Sequence, residues 1–66
     1  MADATTIGKR LIELRGDQER SKVAKAVGIT YSALSNYESG LRTPRDEVKV
    51  SLARYYGKTI EEIFFS

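Results

Sequence analysis

This chain has no cysteine, no histidine, no tryptophan and a single proline in 66 residues. Without cysteine there is no disulfide framework and no thiolate zinc site. Without histidine the commonest general base and the commonest metal ligand are both missing. No Gly-rich phosphate loop is present, and a chain this short has little room for a cleft. An enzyme therefore finds no support, and no metal, cofactor or small-molecule ligand is expected. No apolar run approaches the ~18 residues of a membrane span, and no leader pattern opens the chain. A soluble, cytoplasmic protein without a membrane partner is expected. Strand patterns are essentially absent as well, which leaves helices. One small domain over residues 1–66 is expected, burying roughly 60% of the surface its unfolded chain exposes.

Charge is scarce in net terms but unevenly placed. The formal net charge is only +2. Residues 9–45 hold eight basic side chains (Lys9, Arg10, Arg15, Arg20, Lys22, Lys25, Arg42, Arg45) against four acidic ones. Residues 46–66 hold three basic and four acidic side chains. A basic part beside a weakly acidic one fits a nucleic-acid face on one side and protein or solvent on the other. Charges of this density also solvate ordinary helices, so the pattern alone does not choose.

Periodicity gives the organisation. Residues 1–5 lack it and are expected to fray. Ile7, Leu11 and Leu14 share one helical face over about Ile7 to Arg15, with Thr6 as the cap. Gly16-Asp17 breaks that helix, and Asp17 is the expected cap of the next. In residues 20–39, RSKVAKAVGITYSALSNYES, Val23 and Val27 share one face, and Leu34 and Tyr37 share another. Ala24 and Gly28 sit where the two helices are expected to come closest. Gly28 supplies a sharp turn, and Thr30 a capping hydroxyl for a helix from Tyr31 to Ser39 that stops at Gly40. Two short helices across a glycine turn make a helix-turn-helix, at about residues 18–39. Its core residues are Val23, Ala24, Val27, Ile29, Leu34 and Tyr37. Thr43-Pro44-Arg45-Asp46 reads as the start of a fourth helix, with a capping hydroxyl and proline in first position. That helix offers Val48, Leu52, Tyr55 and Tyr56 to the core and ends at Gly57. Thr59-Ile60-Glu61-Glu62 repeats the capping box and launches a last turn carrying Ile60, Ile63 and Phe64.

From Ile7 to Phe65 the chain resembles the Cro/C1-type (XRE-type) helix-turn-helix regulators of bacteria and phages, in their small single-domain branch. The matching pieces are IGKRLIELRGD, VAKAVGI, YSALSNYESG, RTPRDEVKVSLARYYG and TIEEIFF. The resemblance implies an all-α, five-helix, lambda-repressor-like DNA-binding domain. It also implies an ion pair between Arg15 and Glu38 that ties the first helix to the recognition helix. Two separately solvated charges are the alternative. The sequence departs from the family at Glu19, where Ser or Thr usually caps the second helix, and at Arg20, where a phosphate-contacting Gln is common.

The third helix carries a polar, uncharged stripe at Ser32, Ser35, Asn36 and Ser39, positions i, i+3, i+4 and i+7. Ser32 and Asn36 are the expected base readers, since Asn can pair with adenine bidentately and Ser with any base. Tyr31 is a third base-reading candidate, unless its ring folds back onto the second helix. Arg20, Thr30, Ser35, Ser39, Arg42 and Arg45 are candidates for phosphate contacts. Tyr55, Ile63 and Phe65 are assigned to a homodimer contact, because the chain end holds more aromatic area than its core needs. These assignments describe a sequence-specific regulator, a repressor on an inverted-repeat operator in double-stranded DNA. The alternative is a helical protein–protein adaptor or antitoxin-like module. The serine/asparagine stripe separates them, since a protein-binding face more often carries aromatic or aliphatic anchors.

Overall fold

A computed structural model describes residues Met1–Ser66. Five helices follow one another without a strand: α1 Ala4–Arg15, α2 Arg20–Val27, α3 Tyr31–Ser39, α4 Asp46–Tyr56 and α5 Glu61–Phe65. The expected all-α, five-helix fold is what forms. The last element is a wide π-type turn, closed by the Ser66 amide on the Glu61 carbonyl at 3.0 Å.

The core is made of Ile7, Leu11, Val23, Ala24, Leu34, Leu52, Ala53, Ile63 and Phe64. Val27, Ile29 and Tyr37 are half-buried around it. Ile63 is only 2% exposed. Its expected place at a dimer contact is therefore corrected: the side chain lies in the chain's own core and has no surface to offer.

Helix boundaries follow the cap chemistry where the cap is local. Thr30 Oγ1 accepts from the Ala33 amide at 3.0 Å, and α3 starts at Tyr31 as its hydroxyl dictates. Gly28 terminates α2 at φ +87°, a left-handed conformation that a side chain resists. A Cβ there would meet nothing within 4 Å, so Gly28 serves the turn and not a close crossing. The Thr59 box also forms: the Thr59 amide donates to Glu62 at 2.9 Å, and the Glu62 amide to Thr59 Oγ1 at 3.1 Å. That first bond holds the Glu62 carboxyl below its ordinary pKa.

Three expected starts move. Residues 2–5 are ordered, not frayed: α1 begins at Ala4, three residues before the apolar periodicity does. Asp3, not Thr6, is the cap, and its carboxylate accepts the Thr6 amide at 2.8 Å. The Ala2 amide is further tied to the Phe64 carbonyl at 3.0 Å. In α2 the residue before the helix is Glu19, and its side chain makes no capping bond, so Asp17 does not act as expected. In α4 the cap position is Arg45, two residues after the expected Thr43, again without a side-chain bond. Pro44 is buried, and the backbone is still extended at Arg45, with φ -73° and ψ 167°. Asp46 and Glu47 then occupy the first turn, where the helix dipole favours acids.

The face that α4 presents also differs from the expected one. Lys49, Leu52 and Ala53 are buried, Val48 and Tyr56 are half-buried, and Tyr55 is exposed. Lys49 reaches the interior because its long stem lies along apolar surface. Its ammonium sits 5.9 Å from the Phe64 ring centroid and 5.1 Å from that of Phe65, with Asp46 at 3.8 Å.

The tightest crossing is between α1 and α3, at Gly8. A Cβ on Gly8 would collide with the Glu38 carbonyl and stand 2.9 Å from the Tyr37 carbonyl oxygen. Both are backbone atoms of a packed helix and cannot swing aside. Gly8→Ala is therefore expected to destabilise the domain by ~1–3 kcal/mol through overpacking. The ~1 kcal/mol by which Ala favours a helix over Gly offsets only part of that. Chemical denaturation reads the balance, and an unchanged or higher midpoint would show that the two helices can separate without loss.

Candidate nucleic-acid interface

Glu38 is the polar centre beneath α3. Its side chain is 1% exposed, and both carboxylate oxygens are taken. Arg15 Nε donates to one at 2.7 Å, and Arg20 Nε to the other at 2.8 Å. The Arg15–Glu38 pair is thus formed, not two separately solvated charges. Arg20 is a third member that the sequence did not announce. A buried carboxylate with two partners is satisfied at each oxygen, which is the condition under which burial of charge is tolerated. Arg15 also donates to the Gln18 carbonyl at 3.0 Å, which fixes the turn between α1 and α2.

Arg20 extends this network to the surface. Its Nη1 donates to the Tyr31 hydroxyl at 3.1 Å, and its Cζ lies 5.6 Å from the Tyr31 ring centroid. The bonds to Glu38, first, and to Tyr31 raise the guanidinium above its ordinary pKa. Tyr31 therefore leans on the first residue of α2 and still leaves 53% of its surface exposed at the start of α3. Arg20, expected as a phosphate contact, has its Nε on Glu38 and its Nη1 on the Tyr31 hydroxyl.

The other candidates fall in two groups. Thr30, Arg42 and Arg45 line one open depression of about 540 Å³, together with Ala33, Tyr37 and Thr43. The loop after α3 thus brings two arginines to a depression that also reaches the start of the helix at Thr30. On α3 itself, Ser32 and Ser39 are exposed, while Ser35 and Asn36 are half-buried. The Ser39 hydroxyl donates back to the Asn36 carbonyl at 3.2 Å, which leaves the Asn36 side-chain amide out of that bond. Tyr55, assigned to a dimer contact, donates its hydroxyl to Gln18 Oε1 at 2.5 Å, while its ring stays 39% exposed. Phe65 is 46% exposed.

Residues 9–63 match the family described as helix-turn-helix. The chain belongs to the helix-turn-helix family. It falls among the XRE-type members, and it is a DNA-binding domain. Two solved structures of the clp gene regulator ClgR from Corynebacterium glutamicum share its fold, each at 21% identity over 91% of this chain. Their TM-scores are 0.81 and 0.78, and the match spans 66% and 80% of those chains. The chain thus covers just under two thirds of the first ClgR structure. No curated protein matches the sequence. No helix is long and apolar enough to cross a membrane.

Sequence reasoning missed the roles of Arg10 and Lys49, and it placed Tyr56 against the core without foreseeing its unpaired hydroxyl. Arg10 donates to the Ile63 carbonyl at 2.9 Å and the Ser66 carbonyl at 2.7 Å, so it holds the final turn against α1. Nothing in the local pattern distinguishes it from a solvated arginine. The Tyr56 hydroxyl is buried without a hydrogen-bond partner in the chain. Desolvation, and then the Glu38 charge, push its pKa up from 10.0 to about 12.

Two expectations follow for this network. Glu38→Ala leaves two arginines facing an apolar gap and should cost about 3 kcal/mol, the lower end for a broken buried pair because both arginines reach water. That is comparable to the whole stability of a domain this size, roughly 3–10 kcal/mol. Asn36→Ala should move the denaturation midpoint little, and coincident midpoints for the two variants would refute the buried-pair role.

For Tyr56 the sign is set by its raised folded pKa. The unfolded chain loses the phenolic proton first, so stability is intact below pH 10 and falls as pH rises through about 12. Tyr56→Phe should blunt that alkaline loss and hold or raise stability at pH 7, since it removes an unpaired buried hydroxyl. A variant clearly less stable at pH 7 would mean that the hydroxyl has a partner.

Proposed function

We propose that this domain is a repressor that binds an inverted-repeat operator as a homodimer, with α3 as the helix laid in the major groove. The observation that carries the reading is the composition of the α3 surface. It offers Ser32, Ser35, Asn36 and Ser39 without one charged or large aliphatic side chain between them, and Thr30, Arg42 and Arg45 converge on one depression beside it. Hydroxyl and amide groups suit base edges, and arginines suit phosphates. On this reading Ser32 and Asn36, with Tyr31, meet bases. Thr30, Ser35, Ser39, Arg42 and Arg45 hold the sugar-phosphate backbone.

The homodimer is the finer part of the proposal. Phe65 supports it as an exposed aromatic ring at the C-terminal turn, and Tyr55 is the second exposed ring of the same half of the chain. A two-fold dimer places its recognition helices on one face of the duplex, with half-sites ~34–36 Å apart.

The test is selection of a preferred duplex from a random pool, followed by footprinting and salt titration. The expected site is an inverted repeat protected over two successive major-groove faces. Arg45→Ala should weaken binding to all duplexes and reduce the log K versus log salt slope by about one unit. Asn36→Ala should cost ~1–3 kcal/mol on the preferred site and relax one base position, with the slope unchanged. Equal affinity for every duplex, or none at low salt, would reject the reading in favour of a protein-binding module.

A further inference from the structure

Tyr31 opens the recognition helix with its ring exposed, yet its hydroxyl is already committed on one side. The oxygen accepts a hydrogen bond from Arg20 Nη1 at 3.1 Å, and the same guanidinium lies against the ring face. Arg20 is in turn anchored through Nε to Glu38 at 2.8 Å, a carboxylate with 1% of its side chain exposed. The cation cannot swing away without leaving a buried carboxylate oxygen unpaired. Tyr31 is therefore held in a fixed pose by a chain of contacts that runs down to the core.

The chemistry of that pose is directional. A phenol whose oxygen accepts from a cation keeps one proton to give, and polarisation by the cation makes it a stronger donor. In the major groove the keto oxygens of guanine and thymine are acceptors, whereas the amino groups of cytosine and adenine are donors. A donor fixed opposite that exocyclic group gains a bond from the first pair and meets an unmatched donor in the second, whereas N7 accepts equally on either purine. Lysine cannot replace the guanidinium here, because one ammonium cannot reach Glu38 from one nitrogen and Tyr31 from another while lying along a ring.

We propose that Arg20 is a positioning residue for base recognition: it holds Tyr31 as a hydrogen-bond donor, so that Tyr31 selects a keto base, guanine or thymine, at one position of each half-site. The proposal rests on α3 being the recognition helix. It assigns Arg20 to the reading of sequence, in place of the phosphate contact its position suggests.

The test uses the full chain, its Arg20→Lys and Tyr31→Phe variants and the double variant. Each is measured on the duplex that the wild type selects and on every single-base change of it, with salt titrations and denaturation midpoints. The wild type should favour keto over amino bases at one position by roughly five- to tenfold, the worth of one hydrogen bond. Each single variant should bring that ratio close to one, and the double variant no lower. Arg20→Lys should leave the salt slope unchanged, since the charge is kept.

Three outcomes overturn the proposal. Arg20→Lys keeps the keto preference, the two losses add in the double variant, or the Arg20→Lys slope falls by about one unit as for a lost phosphate contact. Should Arg20→Lys not fold, Tyr31→Phe leaves both Glu38 ion pairs in place, and its retention of the keto preference overturns the donor role by itself. A wild type with a preferred duplex that neither variant alters rejects this inference alone. A wild type with no preferred duplex rejects the recognition-helix reading along with it.

Discussion

Three helices of this domain meet on one carboxylate. Glu38 belongs to α3, Arg15 is the last residue of α1 and Arg20 the first of α2, so one buried group joins the end of one helix and the start of another to the middle layer. The depth at which α3 lies follows from this. Gly8 removes the side chain that would hold α1 away from the Glu38 backbone, and the carboxylate then falls within 2.7 Å of Arg15. The charge is felt beyond its partners, since Glu38 contributes to the raised pKa of Tyr56. An apolar residue at position 38 would fill the space. It would not orient α2 and α3 through directional bonds, and in a helix-turn-helix that orientation decides which side chains reach the groove.

The chain closes on itself through a second set of contacts on a different principle. The final turn is held by backbone carbonyls, which Arg10 gathers from one side, and by aromatic rings, over which Lys49 lies from the other. The Ala2 amide adds a bond to Phe64. In Arg10 and Lys49 a long basic side chain replaces apolar bulk that a domain this small does not possess. Three of the eleven basic residues therefore serve interior roles under α3 or at its rim, or at the chain's closing turn, and Lys49 makes a fourth. A count of basic charge overstates what is available to DNA, while Arg42 and Arg45 remain at the depression beside α3.

The sequence alone determined the helix-turn-helix, its second helix and both of that helix's ends. Thr30, Gly28 and Gly40 act on amides and carbonyls within a few residues of themselves, and local chemistry of that kind is legible without a partner. The Thr59 box and the Arg15–Glu38 pair were also readable, the first from spacing and the second from the resemblance of the surrounding motifs. Tertiary structure decided the rest. Asp3 caps α1 in a stretch with no apolar periodicity. Pro44 is buried ahead of α4 instead of starting it, and Lys49 takes an interior place that hydropathy gives to its neighbours. Gly8 is a glycine because of carbonyls thirty residues away, and Arg20 turns from solvent to Glu38 because α3 delivers a buried carboxylate there. Whether a basic side chain is solvated, paired or inserted depends on what another helix brings within about 3 Å of it, and no spacing along the chain encodes that distance.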